Sequence, residues 1–117
     1  MDEILDLLAP LTKEKLNTIL AELRRRLEEL YGPRLVSLIL YGSQARGDAE
    51  PGSDIDVLVV LEGPVNPFEE IHRASDIVAG LSLEYDEVIS CMFVDREGFA
   101  AADTSLLLNV RQEGVPI

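Results

Sequence analysis

The chain has 117 residues, 47% of them hydrophobic, which is enough for one core and leaves no room for a second domain, so residues 1–117 are expected to fold as a single unit. Twenty-two acidic side chains against ten basic ones give a net charge of −12, a field that repels phosphate backbones and argues against nucleic acid as a direct partner. One cysteine, Cys91, is too few for a disulfide framework or thiolate cluster within the chain; with an acidic start at Asp2 and Glu3 and no apolar run near the roughly 20 residues that span a bilayer, a cytoplasmic protein without a membrane segment is expected.

Between Thr12 and Tyr31, Leu16, Ile19, Leu20, Leu23, Leu27 and Leu30 recur at helical spacing, and Gly32-Pro33 supplies a stop. The basic run Arg24-Arg25-Arg26 on this helix has Glu28, Glu29 and Glu22 one turn away, so it reads as a charge-paired, solvated face. Arg34 to Tyr41 is a nearly continuous apolar stretch, as a strand covered on both faces requires. A polar, turn-rich segment with Gly47, Pro51 and Gly52 leads to a second strand, Ile55 to Leu61, ended by Gly63-Pro64. Asn66, Pro67 and Glu69 resemble a capping box opening a second helix whose buried stripe is Ile71, Ala74, Ile77, Val78 and Leu81. Asp86 to Val94 then reads as a third strand, Asp95 as the cap of a short helix through Phe99, and Ser105 to Glu113 as a last helix. Val115-Pro116-Ile117 suits a sheet edge. The expected fold class is α/β (α+β), a small mixed β-sheet with helices packed on it; strand direction is not settled at this level.

The chemistry is concentrated in Tyr41-Gly42-Ser43-Gln44-Ala45-Arg46-Gly47 and in Ser53-Asp54-Ile55-Asp56. Gly42-Ser43 after a strand, opening a short helix-capable segment, offers backbone N–H groups and a hydroxyl to an anion such as a phosphate. Asp54 and Asp56 alternate with Ile55, so both carboxylates project from one face. Two adjacent carboxylates repel unless protonated or metal-bound, and Mg²⁺ shared between carboxylates and substrate phosphates resolves that repulsion. Taken singly, the two acids could be turn caps and Gly42-Ser43 an ordinary turn. Jointly they imply phosphoryl or nucleotidyl transfer.

Gly42-Ser43, ten intervening residues and then Asp54-x-Asp56 resembles the signature of the DNA polymerase beta-like nucleotidyltransferase superfamily, and Ala45-Arg46-Gly47 with Ser53-Asp54-Ile55-Asp56 looks like its MNT-type subgroup. The resemblance is strongest over residues 35 to 61. It implies that family's core fold, ATP as substrate, and two Mg²⁺ ions bridging Asp54, Asp56 and the triphosphate. It also implies a third metal-binding carboxylate on the strand after the second helix, which would help deprotonate the attacking hydroxyl. Asp86 is the choice for that acid and Glu84 the runner-up, with Glu87 facing the opposite side. Gly42 and Ser43 would hold the outer phosphates; Arg46 would neutralise the departing pyrophosphate, or else pair with Asp48 or Glu50.

Outside this motif, His72 sits on the polar side of the second helix, Cys91 reads as a core residue, and Tyr31, Tyr41 and Tyr85 as packing residues, with Tyr41 near enough to the phosphate loop to touch a base. Minimal MNT proteins resemble the antitoxin half of HEPN/MNT toxin–antitoxin pairs, which implies AMP transfer from ATP onto a tyrosine of a HEPN-type ribonuclease toxin. Since larger relatives carry a further domain for the acceptor and this sequence holds only the core, a partner is expected to bring it. Two rival readings are a small-molecule nucleotidyltransferase of the aminoglycoside-modifying kind and a non-catalytic module that silences its partner by contact.

Overall fold

The computed structural model describes residues 11–117, and the acidic start at Asp2 and Glu3 lies outside them. Helix α1 (Lys13–Tyr31) opens at Thr12, whose hydroxyl accepts from the N–H of Lys15 at 3.1 Å, and ends at Gly32, whose φ of 54° turns the chain out of the helix. Ile19, Leu20, Leu23, Leu27 and Tyr31 form its buried stripe, whereas Leu30, expected in that stripe, is exposed. The expected pairing of the arginine run holds, with Arg24–Glu28 at 2.8 Å, Arg25–Glu29 at 2.6 Å and Arg26–Glu22 at 3.0 Å. None of the described helices is long and apolar enough to cross a membrane.

A 3₁₀ turn (Gly32–Arg34) feeds strand β1 (Leu35–Tyr41), followed by the single-turn helix α2 (Ser43–Arg46), strand β2 (Ile55–Leu61), helices α3 (Pro67–Arg73) and α4 (Ser75–Tyr85), strand β3 (Ile89–Asp95), helices α5 (Arg96–Ala101) and α6 (Ser105–Glu113), and the two-residue strand β4 (Val115–Pro116). The sheet order is β3-β2-β1-β4. β1 runs antiparallel to β2 and β4, and β2 runs parallel to β3, so the mixed sheet expected from the sequence is what forms.

Alternation divides the core between the two faces of this sheet. Leu38, Leu40, Val57 and Val59 pack with α1 on one face, together with Ala74, Leu81 and Phe93. Ile39, Leu58, Val60 and Val110 form the second cluster on the other, with Phe99 and Leu107 against it. β2 is covered on both sides, and its residues from Val57 to Leu61 are 0–1% exposed.

Two boundaries depart from the sequence expectation. The second helix is broken at Ala74 (φ −91°, ψ 0°), where the Ser75 hydroxyl donates to the His72 carbonyl at 2.7 Å. The break changes the inward face of α3, so that Glu70 is buried while Ile71, expected in the stripe, is 49% exposed. Asn66 caps α3 through its side-chain oxygen, which accepts from the N–H of Phe68 at 3.1 Å. The third strand begins at Ile89 rather than Asp86, because α4 runs on to Tyr85 and Asp86 takes the left-handed conformation that ends it. The Asp95 cap, the last helix and the edge segment all form, Asp95 accepting from the N–H of Gly98 at 2.6 Å.

Glu70 joins three elements. Its carboxylate accepts from the Tyr31 hydroxyl at 3.2 Å and pairs with Arg34 at 3.0 Å and Arg73 at 2.8 Å. Burial first, and the Glu70 charge second, push the Tyr31 phenol above its ordinary range, which keeps it a neutral donor. Glu70→Ala takes the carboxylate from Arg34, leaving its guanidinium only the Glu62 and Pro64 carbonyls, and removes an acceptor from Tyr31. A loss of about 2–3 kcal/mol in urea denaturation is expected, and a loss within experimental error would show that the network only decorates the core.

Candidate active site

Antiparallel pairing of β1 with β2 sets the last residue of one strand beside the first acid of the other: Tyr41 is the register partner of Asp56. The chain leaves Tyr41 through Gly42, whose φ of 74° suits glycine, into the turn of α2. It then reverses at Pro51-Gly52, where Glu50 and Ser53 exchange hydrogen bonds (Glu50 N–H to Ser53 Oγ 2.9 Å, Ser53 N–H to the Glu50 carbonyl 3.0 Å), and re-enters the sheet at Ile55. Thus the residues between Ser43 and Asp54 form a loop that returns to its own starting point.

Asp56 lies directly against Gly42. A β-carbon at position 42 would stand 2.6 Å from Asp56 Oδ2, so only glycine permits this approach of carboxylate to turn. Burial first, and the neighbouring Asp54 second, push the Asp56 carboxyl above its usual range. Tyr41 is pushed up to about 12, chiefly by burial and then by the Asp56 charge. Asp54, just before β2, is exposed. Among the described residues neither Asp54 nor Asp56 forms an ion pair, in contrast to Asp48, held by Arg46 at 3.2 Å. Two like charges left uncompensated beside a turn whose first N–H groups have no intrahelical acceptor suit a hard cation and the phosphates it carries.

The other predicted residues are placed as follows. Gly42 and Ser43 stand at the site, at the start of α2. Arg46 is at the other end of that turn, exposed, and tied to Asp48 and to Glu113 of α6 at 3.4 Å; the Asp48 pairing had been foreseen, the Glu113 contact had not. Asp86 is exposed at the end of α4 with φ 54°, not on β3, and among the described residues no group of three or more potential ligands gathers around a point. Glu84 points toward α1, 3.8 Å from Arg26, and Glu87 does the same, 3.4 Å from Lys15. The residue that parallel pairing sets beside Asp56 is Ser90, and beside Leu58 it is Met92. No sequence signal could single these out while strand direction was open.

The carboxylates occupy the face of the sheet opposite α1. A cavity of about 800 Å³ lies on the α1 side, bordered by Leu16, Leu20, Leu40, Gln44 and Ile117. Cys91 packs against the core of that side, as expected, and burial pushes its thiol up to about 12, which disfavours the thiolate. His72 is exposed, as its place on the helix suggested.

Residues 20–95 match the sequence profile described as nucleotidyltransferase domain, which covers well over half of the chain and contains Gly42, Ser43, Asp54 and Asp56. The protein belongs to that family. It is 33% identical over 82 residues to a protein adenylyltransferase, MntA, of Thermococcus cleftensis, a match spanning 70% of this chain and 81% of the relative. It is 34% identical over 84 residues to a Methanocaldococcus jannaschii protein named as a candidate protein adenylyltransferase; that match spans 71% of this chain and only 57% of the relative's length. Among solved structures, a toxin–antitoxin crystal structure with AMP-PNP shares the fold at a TM-score of 0.56 and 22% identity, over 80% of this chain and 68% of that one.

Two consequences can be measured. Gly42→Ala places a methyl on Asp56 and an alanine at positive φ, so a loss of about 1–2 kcal/mol is expected in denaturant unfolding, along with loss of any Mg²⁺-dependent nucleotide binding; unchanged binding would mean that the close approach is incidental. Asp56→Asn should raise the melting temperature at pH 7. The sign follows from the raised folded-state value: the ionised carboxylate destabilises the fold, an effect that grows as pH rises through the ordinary carboxylate range and disappears below it. A variant no more stable than wild type at pH 7, or one whose advantage persists at pH 3, would contradict this account.

Proposed function

We propose that this protein transfers AMP from ATP onto a hydroxyl, that the acceptor is a tyrosine of a partner HEPN-type ribonuclease toxin, and that it acts as the antitoxin of that pair. The observation carrying the proposal is the Asp56 carboxylate seated on Gly42 with Asp54 beside it and, among the described residues, no side-chain cation paired to either. Support for the acceptor class comes from the relative named protein adenylyltransferase and from the likeness in fold to a toxin–antitoxin structure with AMP-PNP. A cytoplasmic location fits a partner that cuts RNA, and neither a membrane nor direct nucleic-acid binding has a part in this reading.

In the reaction the acceptor oxygen attacks the α-phosphorus of ATP, the bond from that phosphorus to the bridging oxygen of the β-phosphate breaks, pyrophosphate leaves, and the hydroxyl proton is released. Asp54 and Asp56 would hold Mg²⁺ jointly with phosphate oxygens, and the cation would supply charge neutralisation at the reacting phosphate. Gly42 and the Ser43 backbone and hydroxyl would fix the outer phosphates. Arg46 would reach the departing pyrophosphate by exchanging its carboxylate partners for phosphate. Asp54 is exposed and Asp56 only half-buried, which leaves a side on which a tyrosine carried on another protein would approach.

The test is to incubate the protein with ATP, Mg²⁺ and the product of the adjacent gene and to record the partner's intact mass. One or more added AMP groups are expected, none with Asp54→Asn, and none after tyrosine replacement in the partner. Equal neutralisation of the partner by wild type and Asp54→Asn, without added mass, would establish silencing by contact alone.

A further inference from the structure

We propose that, among the described residues, the metal site is built on two carboxylates only, with a hydroxyl where a third acid would stand, so that it holds a divalent cation firmly only when a nucleotide brings its phosphates. This rests on the reading of Asp54 and Asp56 as a metal–nucleotide site. β3 is the strand beside those acids, and partners in a parallel ladder share a face. The positions of β3 on the Asp56 face are Ser90, beside Asp56 itself, Met92, one step on beside Leu58, and the apolar Val94 beyond them. Ser90 is a weak neutral donor and Met92 a thioether, which a hard cation disfavours.

Each acid near β3 is accounted for elsewhere. Glu84 and Glu87 are turned to Arg26 and Lys15 of α1, whose stripe packs on the other side of the sheet. Asp86 ends α4 in a left-handed conformation, exposed to solvent. Asp95 lies at the far end of the strand, beside Leu61, and caps α5. Mg²⁺ demands six oxygens in a near-octahedral shell, and two carboxylates that repel each other supply too few to displace its water tightly. Water fills the rest of the shell until triphosphate oxygens replace part of it, which makes cation and nucleotide binding cooperative. The arrangement has a use: the site stays empty of cation until the substrate arrives.

Titration calorimetry with Mn²⁺ alone and with preformed Mn²⁺–AMP-PNP tests this on the whole chain. Mn²⁺ alone should bind weakly, and the complex more tightly by about tenfold or more; Asp54→Asn should abolish both. Asp86→Asn, which keeps a residue at ease in the left-handed region, should titrate like wild type. Ser90→Asp should tighten nucleotide-free Mn²⁺ binding by about tenfold or more, and Mn²⁺ should raise its melting temperature further than that of wild type. Melting in the presence of Mn²⁺ reads this even if the extra charge weakens the metal-free fold. Asp86→Asn weakening Mn²⁺ as Asp54→Asn does, or Mn²⁺ alone binding as tightly as the complex, overturns the proposal and leaves the functional reading standing. Failure of wild type to bind Mn²⁺–AMP-PNP at all removes both.

Discussion

The site depends on one close approach, the Asp56 carboxylate against the glycine that ends β1. Three features of the fold converge on it. The antiparallel register sets Tyr41 beside Asp56, Gly42 leaves room for an oxygen where any other residue would put carbon, and β2 is so deeply covered on both faces that Asp56 has no freedom to drift along the sheet. The intervening loop only has to leave and come back, which the reciprocal bonds between Glu50 and Ser53 help it to do.

The same geometry carries a tension that stability alone would not choose. A half-buried carboxylate beside a second one, with no arginine or lysine among the described residues paired to either, raises the free energy of the folded state at neutral pH. Elsewhere the chain treats its charges differently: Glu70 is buried between two arginines, and the arginine run of α1 is matched glutamate for arginine. The contrast separates charges that serve the fold from charges held ready for something that arrives.

What the sequence made legible follows from the range of the interactions involved. Helices with a strong apolar stripe, the polar caps at Asn66 and Asp95, and the covered strands β1 and β2 are specified by neighbours within a few residues, and these form as expected. Asp54, Asp56, Gly42 and Ser43 could be read together because their spacing is fixed along one hairpin. Ile71 and Asp86 were misplaced for a different reason. The break at Ala74 and the extension of α4 to Tyr85 answer to tertiary terms, namely the Glu70 network and the position where β3 can pair with β2, and no local pattern reports those. An apparent strand of apolar residues beginning at an acid was in part a helix end.

This bears on how a site in this family is to be read from a chain. The hairpin half of the arrangement is local, so its residues can be carried across by motif. The neighbouring strand arrives after two helices, and what it can present beside the hairpin depends on parity: shifting the register by one residue exchanges the face that Ser90 and Met92 share with Asp56 for the face of Cys91 and Phe93. An acid present near the right place in sequence, such as Asp86, is therefore no substitute for an acid on the right face. Here the face beside Asp56 carries a hydroxyl and a thioether at Ser90 and Met92, so the strand next to the hairpin adds no charge to the pair at Asp54 and Asp56.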